Sequence, residues 1–349
     1  MGNYEVLIAP HQVAIDITNK CNFRCLHCYN HSGDNFQVKD ELSDSDVLNF
    51  IDDICKVGVL NVCFCGGEPL LRKKLILECI KRLRKSGIPN VAMVTNGMLL
   101  TEKVAFDLKK AGITTIQLSI DGACEKSHDR LRNYSGAFEG VKRAIEVLKK
   151  VGIEPNFAFT PTSFNVEEIK EVHSLLRSYG LYNVNFRTQP LMLMGRATEN
   201  LLDIKPSQEQ YRKFVRTINE INKSGELPNI EWGDPVDHLI RFSERKIILN
   251  QTTIRANGDI VASTYLPFVV GNIRRHSLIE YWDAGLAKIW TYDITREIAK
   301  TIKCIDDMNK TQEHLPKVWQ EKDIEIDLIE EDLNNLDLLY KRVNYQISL

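Results

Sequence analysis

An α/β fold built on a mostly parallel sheet is what this sequence predicts, and two observations predict it. Six short runs rich in β-branched and aromatic residues alternate with amphipathic helical runs over the first two thirds of the chain. Glycine and turn signals punctuate the junctions. Strand–helix units in succession imply parallel pairing through right-handed crossovers. An open doubly wound sheet and a barrel-like curl both satisfy the pattern, and periodicity does not choose between them.

The elements follow in order. Residues 13–17 read as a strand. Ser43, with Asp46 three residues on, marks a helix start. Val47, Leu48, Ile51 and Ile54 then share one face, and Gly58 ends the helix. Residues 59–64 form a second strand, followed by Cys65-Gly66-Gly67-Glu68-Pro69. A basic helix carrying Leu75, Ile76, Cys79, Ile80 and Leu83 stops at Gly87. Residues 91–94 are a third strand, ended by Asn96-Gly97, and Thr101 caps a helix running to Gly112. Residues 114–120 are a fourth strand, ended by Asp121-Gly122. Helix 138–151, strand 153–159, helix 166–179 and strand 182–186 complete the series. Beyond residue 195 the pattern changes. Residues 207–222 are helical. Strands 252–256 and 259–264 flank Asn257-Gly258, which suits a type I′ hairpin turn. Residues 277–282 form a short helix, and 324–343 carry helical apolar spacing.

Composition narrows the function classes. A chain of 349 residues makes one large domain or two. With 43% apolar and 26% charged residues it is globular rather than disordered. A net charge of −2 leaves no basic footprint for nucleic acid. No apolar run approaches the roughly 20 residues that a membrane span needs. No secretion signal opens the chain, so a cytoplasmic location is expected, with neither nucleic acid nor membrane as partner.

Nine cysteines are the first chemical lead. The number is odd, so they cannot all pair within the chain. Cys21, Cys25 and Cys28 crowd together just after the first strand. Their spacing admits one apolar face of a helix, a zinc site completed by His27 or His31, or three thiolates on an iron–sulfur cluster. Three thiolates on a four-iron cluster leave one iron open to activate a ligand. In α/β architectures of both kinds, sites gather where strands end. The cysteine trio, Gly66-Gly67-Glu68, Asn96-Gly97 and Asp121-Gly122 are therefore expected to face one cavity.

Together these motifs resemble the radical SAM superfamily, and above all its peptide-modifying and cofactor-building branch. The resemblance rests on Cys-x3-Cys-x2-Cys, Gly-Gly-Glu-Pro, Thr95-Asn96-Gly97, Ser119-Ile120-Asp121-Gly122 and His128-Asp129 with Arg132, over about residues 11–190. It implies a partial (β/α)6 TIM-like barrel. It implies that Cys21, Cys25 and Cys28 hold one [4Fe–4S] cluster whose open iron binds S-adenosylmethionine. Reductive cleavage then yields a 5′-deoxyadenosyl radical that abstracts a substrate hydrogen atom. Within the same resemblance, Gly66 and Gly67 bring backbone close to the ligand. Glu68 receives its ammonium group, Arg132 clamps its carboxylate, and Ser119 and Asp121 bond ribose hydroxyls. Asn96 belongs to the binding loops, and His27 sits where an aromatic ring lies against adenine. Cys124, Cys63 and Cys65 are candidates to return a hydrogen atom to a substrate radical.

The hairpin around Asn257-Gly258, then Gly271-Asn272-Ile273 and Ser277-Leu278, resembles the start of a SPASM or twitch extension. Arg187 and Gly195-Arg196-Ala197 fit the connector before it. Ser263 and Thr264 stand where that extension carries a cysteine, and only Cys304 follows. One thiolate cannot hold an auxiliary cluster, so a degenerate extension is expected. The expected organisation is a core barrel over 1–195, the extension over 196–305 and a helical tail over 306–349. The leading expectation is modification of a ribosomally made peptide, and the alternative is a sugar, nucleoside or amino acid substrate. A non-catalytic zinc or iron–sulfur protein is a third class. A flavodoxin or ferredoxin is the expected electron donor. Because the barrel starts almost at residue 1, a separate protein or the tail is expected to bind any leader peptide.

Overall fold

The computed structural model describes residues 6–33, 40–245, 248–308 and 315–347. The first half repeats one unit. Strands β1 (Gln12–Asp16), β2 (Asn61–Cys65), β3 (Asn90–Thr95), β4 (Thr115–Ser119), β5 (Asn156–Phe159), β6 (Phe186–Thr188) and β7 (Ile230–Trp232) pair in chain order, each parallel to the last. Between them run helices α1 (Asp44–Val57), α2 (Lys73–Lys85), α3 (Glu102–Ala111), α4 (Glu125–Arg132), α5 (Ala137–Lys150), α6 (Ile169–Ser178), α7 (Leu201–Ile204) and α8 (Gln208–Ser224). A doubly wound sheet reverses its strand order at a switch point. Here the order never reverses, so right-handed crossovers put every helix on one face and the sheet curls around the other. The architecture is a partial barrel, and no ladder closes it among the described residues.

The strands show a period of two. Ile15, Phe64, Met93, Ile116, Leu118 and Phe157 are fully buried toward the helices. Mostly small or polar residues occupy the alternate positions: Ala14, Cys63, Cys65, Gln117, Ser119, Ala158 and Arg187. The helix signals act as expected. The Ser43 hydroxyl accepts from the Asp46 amide at 3.1 Å, and the Asp46 carboxylate accepts from the Ser43 amide at 2.9 Å.

After helix α9 (Pro235–Arg245) the chain returns beside β1. Strand β8 (Gln251–Ile254) pairs parallel to β1, and β9 (Asp259–Val261) and β10 (Phe268–Asn272) follow antiparallel. The hairpin forms where expected, but its turn is not type I′. Only Gly258 takes a positive φ, +93°, and the Gly258 amide donates to the Arg255 carbonyl at 2.9 Å. A three-residue loop ending in a left-handed glycine results, because Asn257 stays out of the left-handed region. Helices α10 (Leu278–Ala284) and α11 (Asp293–Ala299) precede a further departure. The apolar spacing over 324–343 does not give one helix. Strand β11 (Ile324–Glu325) pairs parallel with β10, and only α12 (Leu336–Ile347) is helical. The tail is fastened where Arg255 pairs with Asp323 and lies over the Trp319 ring at 3.9 Å. No helix among the described residues is long and apolar enough to cross a membrane.

Candidate functional site

A cavity of about 350 Å³ opens at the C-terminal ends of the barrel strands. Cys21, Cys25 and Cys28, Gly66 and Gly67, Thr95 and Asn96, Ser119 and Arg132 all line it. Four loops far apart in sequence therefore meet at one place, as strand ends in such a fold must.

The cysteine loop is held from several sides. Arg196 donates to the Cys25 carbonyl (3.1 Å) and the Ser32 carbonyl (2.7 Å), and its own amide bonds the Cys28 carbonyl (3.0 Å). Phe23 is buried and stacks on Tyr134 with centroids 4.4 Å apart. Gly66 and Gly67 line the cavity and also pack two loops together. A Cβ on Gly67 would lie 2.1 Å from the Lys20 carbonyl oxygen, and one on Gly66 2.4 Å from that of Thr18. Their missing side chains let the second loop press against the cysteine loop, where the Gly67 amide donates to Thr18 (2.7 Å) and the Glu68 amide to Lys20 (2.9 Å).

Each of the three sulfurs accepts one hydrogen bond. The Phe23 amide reaches Cys21 Sγ at 3.4 Å, the Ser32 amide reaches Cys28 Sγ at 3.3 Å, and Arg132 Nη1 reaches Cys25 Sγ at 3.8 Å. Donors of this kind suit anionic thiolates. Burial pushes the Cys21 thiol up to about 12 and the Cys25 thiol up to about 11, so a cationic metal centre must draw the protons off. Among the described residues no three His, Cys, Asp or Glu side chains converge as ligands of a single ion. The zinc alternative thus lacks its geometry: His31 Nε2 lies 3.2 Å from Glu199 and His27 Nε2 lies 4.0 Å from Asp121. A cluster takes one thiolate per iron, so its ligands need not meet at a point. Three free thiols with one donor apiece on one cavity wall fit it.

Two predicted ligand contacts are occupied by the chain itself. Glu68 is fully buried behind the lining. Its carboxylate accepts from the Leu70 amide (3.0 Å), the Asn96 amide (3.0 Å) and the Thr95 hydroxyl (2.9 Å). It thereby joins the second and third loops. Asp121 is also fully buried, pairs with Arg132 and accepts from the Thr160 amide at 2.8 Å. Burial would raise its carboxyl, but the Arg132 guanidinium overrides this and holds it below the ordinary value. Asn96 donates to Asn22 at 2.8 Å. His27 lines the cavity with Nδ1 buried and unpartnered, and burial lowers it to about 4, so the ring is neutral at pH 7.

The three remaining cysteine candidates separate. Cys65 lines the cavity, and Cys63 lies directly behind it with sulfurs 3.5 Å apart. Cys124 is exposed just before α4 and is not among the residues that line the cavity. Sequence reasoning missed Gln117, Arg187, Gln189 and Tyr265, which also line the cavity. The period-two alternation of β4 was the signal that could have found Gln117.

The family model described as the radical SAM superfamily matches residues 15–183, the stretch that carries all four loops. Mycofactocin maturase MftC of Mycolicibacterium smegmatis is 30% identical over 306 residues, 84% of this chain and 73% of that protein. The chain belongs to the radical SAM superfamily. As a radical SAM enzyme it uses a [4Fe–4S] cluster and S-adenosylmethionine. The AdoMet-dependent heme synthase of Methanosarcina barkeri is 28% identical over 300 residues, 79% of this chain and 82% of that protein. Among solved structures, native anSMEcpe with bound AdoMet and Cp18Cys peptide superposes with a TM-score of 0.62 at 16% identity, over 97% of this chain and 96% of that one. That likeness establishes the fold, and the radical SAM barrel is the one described above.

Proposed function

We propose that this radical SAM enzyme modifies a ribosomally made peptide inside the cavity. One observation carries the reading: three thiols with matched donors share a single cavity with unpaired polar side chains at the ends of parallel strands. Likeness to the maturase MftC supports a peptide, because it runs well beyond residues 15–183. When bound, the cluster and S-adenosylmethionine supply a 5′-deoxyadenosyl radical that removes a substrate hydrogen atom.

The chain's own residues do the rest. Cys21, Cys25 and Cys28 hold the cluster. Asn96, Ser119, Arg132 and His27 face S-adenosylmethionine, while Glu68 and Asp121 act from behind by fixing the loops and Arg132. Gly66 and Gly67 keep the second loop against the cysteine loop. Cys65 gives a hydrogen atom back to the substrate radical. Its neighbour Cys63 and its burial push the Cys65 thiol up, so the S–H is retained at neutral pH. The sulfur is restored by one proton and one electron from a flavodoxin or ferredoxin. Residues 196–305 act as a SPASM- or twitch-like cover without metals, since Ser263 and Thr264 replace a cysteine there and Cys304 is exposed. The setting is the cytoplasm, with a separate protein presenting the leader peptide.

A small-molecule substrate is the second reading, favoured by the heme synthase match over 82% of that protein. Anaerobic turnover with candidate peptides and small molecules separates the two. Deuterium moving from a labelled peptide into 5′-deoxyadenosine, with a mass change in the peptide, supports the first. Deuterium moving only from a small molecule overturns it.

A further inference from the structure

Two guanidinium groups and no carboxylate line the cavity among the described residues. Arg132 is already engaged by Asp121 and by the Cys25 sulfur. Arg187 is not engaged. Its side chain makes no hydrogen bond and no ion pair to any described residue, and it is exposed while the flanking strand residues Phe186 and Thr188 are buried. Its position follows from register. Arg187 stands beside Ala158 of β5, and Ala158 stands beside Ser119 of β4, so all three point into the barrel. Gln117 and Gln189 share the lining and likewise make no side-chain hydrogen bond to a described residue.

Arg187 is exposed on the cavity wall, so its guanidinium stays hydrated and accessible to an anion that enters. A guanidinium presents a planar fork matched to a carboxylate. With Arg132 neutralised, the charge of the remaining lining is set by Arg187 alone. Cys65 and Tyr265 also line the cavity, and both lie near enough to feel the charge of Arg187. A group held by Arg187 would therefore lie beside the sulfur proposed to return the hydrogen atom.

We propose that Arg187 anchors a carboxylate of the substrate, with Gln117 and Gln189 as neutral hydrogen-bonding partners, so that the cavity selects an acidic reacting unit. This rests on the reading of the cavity as the substrate chamber and names the substrate class for it. The carboxylate could belong to an acidic peptide side chain, a peptide C-terminus or a free small acid. All three present the same chemistry to the arginine.

The test uses matched acid and amide probes on the reconstituted holoenzyme with S-adenosylmethionine bound, and on the metal-free chain in parallel. The pairs are acetyl-glutamate with acetyl-glutamine, acetyl-alanine with its C-terminal amide, and glutarate with glutaramide. Binding is read by calorimetry for the native chain, Arg187→Gln and Arg187→Lys. At least one acid should bind about tenfold or more tightly than its amide. That preference should vanish in Arg187→Gln and partly return in Arg187→Lys, while affinity for S-adenosylmethionine stays unchanged. The pair with the largest preference names the source of the carboxylate. An acid preference in the metal-free chain that depends on Arg187 supports the anchor even if the holoenzyme cleaves nothing, which separates it from the proposed function. The proposal is overturned if no acid is preferred, if the preference survives Arg187→Gln, or if Arg187→Gln weakens S-adenosylmethionine to the same degree.

Discussion

The two sides of the cavity are built on opposite plans. On the side made by the loops after β1 to β4, nearly every polar group is tied to another: Glu68 to the Thr95–Asn96 loop, Asp121 to Arg132, Arg132 to Cys25. On the side made by the bodies of β4 and β6 and the segment after β6, Gln117, Arg187 and Gln189 have no partner among the described residues. The first side is preorganised for cofactors that are the same in every turnover. The second leaves its hydrogen bonds open, and a substrate completes them. Locked groups should therefore matter for stability and cluster retention, and open groups for selection and product.

The largest effect is expected where that locking is electrostatic. Arg132→Gln leaves Asp121 buried without its cation and should cost about 3–5 kcal/mol in denaturant unfolding. In the native chain this pair stabilises above the ordinary carboxylate range. Because the folded-state value of Asp121 is depressed, that stability disappears as pH falls through it. A variant whose stability and acid limb match the native chain would break the contrast between the two sides.

Next comes Gly67→Ala. Its methyl group would meet the Lys20 carbonyl at 2.1 Å, which is backbone and cannot swing away. A loss of about 1–3 kcal/mol is expected, together with reduced iron retention as the cysteine loop is pushed aside. Arg187→Gln should do neither, so measuring both variants in one unfolding series sharpens the comparison.

These two glycines also show how far the sequence could be read. Their motif placed Gly66 and Gly67 at the site, but not the loop-to-loop packing they also provide, which depends on the position of Thr18–Lys20 in space. The six strand–helix units were legible because amphipathic periodicity and capping signals such as Ser43 with Asp46 are local. Strand β6 was displaced from 182–186 to Phe186–Thr188, and β7 was missed, because three-residue strands carry too little periodicity to register. The tail strand Ile324–Glu325 was hidden inside helical spacing, since its partner β10 is more than fifty residues away. Glu68 and Asp121 were found, but which groups would occupy them was not, because Thr95, Asn96 and Thr160 reach them only after folding. Arg187 was read as part of a connector. Its chemistry becomes visible only when the barrel register turns it inward.

A smaller effect is expected at Cys65. Cys65→Ala should leave folding and 5′-deoxyadenosine formation intact. For turnover in D2O, native enzyme should place deuterium at the reacting carbon through the exchanged thiol, and the variant should not. Equal labelling in both would remove Cys65 from the reaction. A separate, pH-dependent effect concerns Asp16, beside Cys65 in the β1–β2 register. Burial raises its carboxyl from 3.8 to about 7, against the opposing pull of Arg255 and Asn30. An acid raised in this way stabilises the fold when protonated, so stability falls as pH rises between those values. Asp16→Asn should flatten that part of the stability profile, and an unchanged slope would show that another group causes it.

The most direct test of the account is anaerobic reconstitution of the native chain and of a variant with Cys21, Cys25 and Cys28 all changed to alanine. Iron and sulfide content and 5′-deoxyadenosine formation are measured on each. The native chain should carry one [4Fe–4S] cluster and cleave S-adenosylmethionine, and the variant should do neither. A native chain without iron, or a variant that still cleaves S-adenosylmethionine, would contradict it.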